Sequence, residues 1–150
     1  MVRVEAVRAL IEIRDMRAIP ALITALGDPD PVVRGNASHA LAEHYDRRAV
    51  PALIHALTDQ DDFVRRDAAR ALIDVDDPSV FEPLIAALQD PDVWVRAHAA
   101  DALGELQDSR AIEPLKAAAR IHDVGGVAHT SIESALRRLD AKVRLRPPKE

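Results

Sequence analysis

Apolar residues along the chain recur in a helical rhythm, and that rhythm itself repeats. Val33, Ala37, Ala40, Leu41 and His44 fall at i, i+4, i+7, i+8 and i+11, one face of an α-helix. The counterparts of His44 elsewhere are Ile13, Val75 and Leu106, so this column is normally apolar and His44 reads as a core or edge histidine. Val50, Leu53, Ile54 and Leu57 form a second stripe and predict a second helix. Asp28-Pro29-Asp30-Pro31 precedes the first helix, with acid and proline where a helix N-terminus favours them. Asp46 stands just before the second helix as an N-cap, and Pro51 falls in its first turn, where a missing N–H costs least.

A shift of 31 residues lays the sequence on itself without a gap, and eight columns are identical in all four copies. Among them are Val2/Val33/Val64/Val95, Arg3/Arg34/Arg65/Arg96, Ala6/Ala37/Ala68/Ala99, Leu10/Leu41/Leu72/Leu103 and Asp15/Asp46/Asp77/Asp108. The repeats span about 1–27, 28–58, 59–89 and 90–120, each a pair of helices within a single domain over 1–140. Beyond Arg120 the register slips by two residues at Gly125-Gly126. Ile132, Ala135, Leu136 and Leu139 then take the apolar places of a capping helix over 127–140, with Glu133, Arg137 and Arg138 on its wet side. Residues 141–150 read as a basic, flexible tail.

The pattern D-P-D-x-x-V-R-x-x-A-x-x-A-L followed by D-x-R-A-I-x-P-L resembles HEAT-like repeats of the phycobilin-lyase type. The resemblance covers residues 1–120 directly and a degenerate half repeat beyond. It implies an all-α fold, a right-handed α-solenoid of four antiparallel helix pairs plus a C-terminal half repeat. First helices would line the convex side and second helices the concave side.

Composition agrees with helices. Aromatic residues make up only 3% of the chain, and alanine and leucine supply the apolar mass. A formal net charge of -5 argues against a polyanion binder, and the basic side chains are 17 Arg against 3 Lys. Without cysteine there is no disulfide or thiolate metal site. The sequence also shows no signal peptide and no apolar run long enough for a membrane span, so a cytoplasmic location and no membrane partner are expected.

The arginine column is the first candidate for chemistry. Arg34 lies seven residues before Leu41, at nearly the same azimuth, so it sits on or beside the buried face and needs a partner. Asp28, Asp59 and Asp90 are the nearer acids if the helices run antiparallel. Arg34, Arg65 and Arg96 are therefore expected to form a structural ladder, donating to linker acids or carbonyls, in preference to an anion-binding row.

The histidines (His39, His44, His55, His98, His122, His129) occupy different repeat columns. The His-Glu pairs by which HEAT-like deoxyhypusine hydroxylases hold iron do not occur, so no metal and no cofactor are expected. No nucleophile motif is present, so no catalytic residue is assigned. Phe63 and Trp94 share a column with Val32 at the start of first helices and are expected to pack between neighbouring repeats. Without an aromatic platform, nucleic acid, including the HEAT-like DNA glycosylase reading, is disfavoured.

Two surfaces remain. On the first helix, Val4, Val7 and Ile11 make a second apolar face whose counterparts are small or polar, which suggests self-association as a homodimer, or docking, through that helix. On the second helices, the positions outside the apolar stripe vary between copies: Arg17 and Thr24; Arg47, Arg48 and His55; Ser79 and Glu82; Arg110, Glu113 and Arg120. Such a strip suits an extended protein partner, with Arg47, Arg48 and His55 as its densest polar cluster. The expectation is a non-enzymatic protein-interaction scaffold. The alternative, which the resemblance implies, is a phycobilin lyase-like chromophore-handling protein or its helper subunit.

Overall fold

The computed structural model describes residues 2–13, 16–43, 46–121 and 126–144. Among these, every regular element is helical. The chain forms two compact units, Met1–Val75 and Asp76–Glu150. The first holds α1 (Val2–Ile13), α2 (Ile19–Ala25), α3 (Pro31–Glu43), α4 (Val50–Ala56) and α5 (Asp62–Ala71). The second holds α6 (Phe81–Ala87), α7 (Val93–Leu106), α8 (Ile112–Ile121) and α9 (Val127–Arg144).

Aspartate punctuates each junction from the end of α2 to the start of α8. Asp46 is extended (φ -132°, ψ 121°), and its side chain accepts from the Arg48 N–H, which opens a 3-10 turn over Arg47–Ala49. That turn runs directly into α4, with Pro51 in the first helical turn. Asp77 and Asp108 open α6 and α8 in the same way. In the linkers, the first acid of each D-x-D folds the turn and the second caps the helix. Asp28 Oδ1 accepts from the Asp30 N–H at 2.9 Å, and Asp30 Oδ1 from the Val32 N–H at 2.9 Å. Asp59 and Asp61 repeat this before α5, and Asp90 and Asp92 before α7. Each such cap is worth about 1 kcal/mol.

In the first unit α2 lies on α3, α4 lies on α5, and the first-type helices α1, α3 and α5 stand side by side. In the second unit α6 lies on α7, α8 lies on α9, and α7 and α9 stand side by side. The core comes from the shared columns: Val33, Leu41, Val64, Leu72, Val95 and Leu103 are buried, as are Leu22, Leu84 and Leu115 from the second-type helices. Each such side chain contributes about 1.5–3 kcal/mol on burial.

Small residues let the first-type helices approach. Gly104 meets α9 so closely that a Cβ would stand 3.0 Å from both Cα and Cβ of Ala135. Gly35 is different: its Cβ would meet only Val64 Cγ2, at 3.9 Å. Gly35→Ala therefore gains helix propensity without a clash and is expected to raise stability by about 0.5–1 kcal/mol in urea unfolding. A loss of stability would show that α3 needs the missing side chain.

Three sequence expectations need correction. Over its described side chains the Val4, Val7, Ile11 face is not an open stripe: Val7 is only 5% exposed and Val4 is half-buried. Its columns face the following repeat, not a preceding one. The equivalent Ser38 is buried, with its Oγ 3.5 Å from the Val64 carbonyl, so α3 covers Val7. The Ile11 side chain and His44 lie outside the described residues. The second correction concerns Val32, Phe63 and Trp94. Neighbouring repeats do not cover them: they are 53%, 64% and 44% exposed. Third, the last helix continues to Arg144, where a tail was expected from residue 141. Lys142 Nζ donates to the Gln107 carbonyl at 3.1 Å and holds this extra turn against the end of α7. The remaining tail, 145–150, lies outside the described residues.

Candidate functional site

The arginine column fixes the linkers that shape the site. Arg34 Nε and Nη2 donate to the two carboxylate oxygens of Asp59 at 2.7 and 2.8 Å. Its Nη1 donates to the carbonyls of Asp28 and Pro29 at 2.9 and 3.1 Å. One guanidinium thus ties its own linker to the next one, in the bidentate geometry that only arginine provides. Arg3 reaches Asp28 in the same sense, at 2.8 Å. Arg65 and Arg96 donate to their own linker carbonyls, at 2.8 Å to Asp59 and 2.7 Å to Asp90. Arg96 is 9% exposed, and at position 121, the equivalent of Asp28 and Asp59, the chain carries Ile121.

The hydrogen bonds from Arg34 hold the Asp59 carboxyl below the usual carboxylate range, and Asp59 in turn raises the Arg34 pKa. A carboxylate whose folded-state pKa is depressed stabilises the fold fully above its unfolded value, about 3.9, and this contribution is lost as pH falls through the lower folded value. The unfolding midpoint is expected to stay level down to about pH 5 and to drop below about pH 4. Asp59→Asn should flatten that drop. Identical acid limbs for the two proteins would remove the pair from the account.

Arg34 and Asp59 lie at one end of a cleft of about 600 Å³ between α2 and α4. Ile23, Leu26, Ala52 and Ala56 supply its apolar lining, and Thr24, His55, Thr58, Gln60 and Asp28 its polar lining. The Thr24 and Thr58 hydroxyls donate back to the carbonyls of Pro20 and His55, at 3.0 and 2.9 Å, and leave their lone pairs available. With four hydrogen bonds the Arg34 guanidinium is engaged. The cleft therefore offers mainly acceptors, which suits a donor-rich side chain on an extended segment.

Every residue singled out on the second-type helices is exposed: Arg17, Thr24, Arg47, Arg48 and His55 in the first unit, and Ser79, Glu82, Arg110, Glu113 and Arg120 in the second. The structure separates the cluster proposed from sequence. His55 and Thr24 line the cleft, whereas Arg47 and Arg48 stand at the opening turn of α4 and do not. Arg48 is bound back on the capping acid, with Nη2 2.6 Å from Asp46 Oδ2, and this depresses the Asp46 pKa. Arg110 pairs in the same way with Asp108 at 2.6 Å and also covers the Phe81 ring at 4.3 Å. Glu113 pairs with Lys116 at 2.9 Å. Linker acids in the cleft were read from sequence only as ladder partners. Their D-x-D spacing at the ends of second-type helices is the signal that also places them at the cleft.

No cluster of three or more metal-ligating side chains occurs among the described residues, and none of the described helices is long and apolar enough to cross a membrane.

Residues 1–73 and 64–137 match the sequence profile of HEAT repeats. The chain belongs to the HEAT-repeat family. HEAT repeats build α-solenoids from stacked helix pairs, which is the arrangement found inside each unit. Among solved structures, the complex of CpcE and CpcF of phycocyanin lyase from Nostoc sp. PCC7120 is similar at TM-score 0.78 and 27% identity, over 93% of this chain and 59% of that one. Human deoxyhypusine hydroxylase is similar in fold at TM-score 0.67 and 24% identity, over 89% of this chain and 48% of that one. An engineered protein is similar in fold at TM-score 0.71 and 24% identity, over 93% and 75%. The HEAT-repeat chain thus spans about half the length of the two natural proteins. No curated protein shows a significant sequence match.

Proposed function

We propose that this HEAT-repeat chain is a non-enzymatic scaffold that binds an extended segment of a partner protein along its second-type helices, anchored in the α2–α4 cleft. The observation that carries this reading is the cleft itself, an acceptor-lined groove of about 600 Å³ bordered by the variable residues Thr24 and His55. A lysine or arginine side chain of the partner supplies donors to the carboxylate and hydroxyl oxygens of the cleft. The repeat architecture supports it too, because stacked helix pairs of repeat proteins commonly bind extended partner chains. Ala52→Trp places a large ring in the cleft from a half-buried lining position. Affinity capture from the native lysate is expected to lose its specific partner with Ala52→Trp and to keep it with Arg47→Ala. Capture unchanged by Ala52→Trp would overturn the cleft as anchor.

A second reading is a role in handling an open-chain tetrapyrrole, alone or as a helper subunit. It is favoured by the likeness to the phycocyanin lyase complex, at 27% identity over 93% of the chain. Addition of a bilin to the purified protein separates the two readings. A saturable shift of the bilin absorbance band supports the second, and an unchanged spectrum at micromolar protein removes it.

A further inference from the structure

A second cleft opens between the first-type helices α3 and α5, sharing no residue with the α2–α4 cleft. It holds about 380 Å³ and is lined by Val32, Gly35 and Phe63 with Asn36, His39, Asp61 and Asp67. Val32 and Phe63 are among the most exposed large apolar side chains of the described chain. An exposed aromatic beside an exposed valine is costly to leave in water unless the surface is used.

The charges around the cleft are unbalanced. Asp61 and Asp67 are carboxylates of its lining. The neighbouring guanidinia are already engaged: Arg66 lies over the Phe63 ring at 4.8 Å and pairs with Asp62, and Arg70 lies between Asp67 and Glu43. Arg70 Nη2 stands 2.6 Å from His39 Nδ1. The same ring nitrogen lies 3.5 Å from Asp67 Oδ1. Carboxylates therefore exceed cations at the rim. One wall carries a donor as well: Asn36 Nδ2 is buried and has no hydrogen-bond partner among the described residues, which suits a peptide carbonyl. The site fits an extended peptide with one apolar side chain beside basic ones.

The chain carries such a segment. Beyond the end of α9 the sequence continues Leu145-Arg146-Pro147-Pro148-Lys149, one leucine followed by two cations and no acid before Glu150. The two prolines lack N–H groups and restrict φ, so less conformational entropy is lost when a peptide of this sequence is held extended. Aromatic-lined grooves commonly take proline-rich segments for this reason.

We infer that the α3–α5 cleft receives the basic segment 145–149 of a second copy of the chain, which offers one leucine to the apolar wall of Val32 and Phe63 and two cations to Asp61 and Asp67. Two copies are thereby linked through a first-helix surface, while the second-type helices stay open.

A fluorescein-labelled peptide spanning residues 143–150 tests this by anisotropy titration against the full-length protein, alongside sedimentation of the unlabelled chain across a concentration series. Saturable binding is expected. It should weaken about tenfold for Phe63→Ser, an exposed position whose replacement leaves the helical circular dichroism unchanged. A similar loss is expected when the peptide carries Arg146→Glu, and rising salt should weaken binding. The full chain should self-associate with concentration, and Phe63→Ser should abolish this. Absence of peptide binding overturns the proposal, as does equal binding to Phe63→Ser. Peptide binding by a chain that sediments as a monomer at every concentration overturns the second copy as the occupant.

Discussion

Arg34→Ala is expected to lower the unfolding free energy by about 2–3 kcal/mol, seen as a lower urea midpoint with an unchanged m-value. The substitution removes a bidentate pair and two bonds to linker carbonyls at once. It also leaves Asp59 as a carboxylate with a side chain only 13% exposed, and the Arg34 side chain itself is only 16% exposed. The loss of a partner to a largely buried charge sets the size of the effect more than the loss of attraction does. The residual exposure keeps it below the 3–5 kcal/mol typical of fully buried pairs. Arg34→Lys keeps the charge but cannot span both linkers, so an intermediate loss is expected. Arg48→Ala is the contrasting case: its pair with Asp46 is equally short, yet the Arg48 side chain is 59% exposed. It should cost no more than about 0.5 kcal/mol. Equal effects at 34 and 48 would refute the assignment of the column to the joining of consecutive repeats.

The second large effect is expected at Gly104. Gly104→Val should destabilise by about 2–3 kcal/mol in the same assay. The new Cβ alone would stand 3.0 Å from the Ala135 backbone, and a rigid helix backbone cannot yield as a flexible side chain would. The gain in helix propensity on leaving glycine, at most about 0.5 kcal/mol for valine, does not offset this. The cost falls on α7 and α9, which pack side by side in the second unit. A compensating Ala135→Gly should recover part of it, since it removes one of the two atoms in the way. A fully stable Gly104→Val protein would mean that α9 can move away freely.

Much of the fold was legible in the sequence because each of its devices is local. A capping aspartate needs only the N–H two residues ahead, as Asp46, Asp77 and Asp108 show. An apolar stripe needs only the helical period, so Val33, Leu41, Val64, Leu72 and Leu103 could be placed in the core by position alone. The link from Arg34 to Asp59 crosses 25 residues, yet it too was within reach, because the repeat carries both partners in every internal copy.

The candidate site was less legible. Arg47, Arg48 and His55 looked like one cluster because they are near in sequence. Two helical turns separate them, and Arg48 is spent on its own cap. The cleft gathers Thr24, His55 and Asp28 from positions that only the packing of α2 beside α4 brings together.

The sequence by itself determined the helix pairs, their junctions and the columns that face the core, since propensity, capping and period act within one helix and its flanks. Only the tertiary structure decided which neighbour covers each remaining face. The period gives a residue's azimuth on its own helix, not the side on which the next helix lies. That is why Val7 is buried under α3, and why Val32 and Phe63, at the start of their helices, stand in solvent beside a cleft.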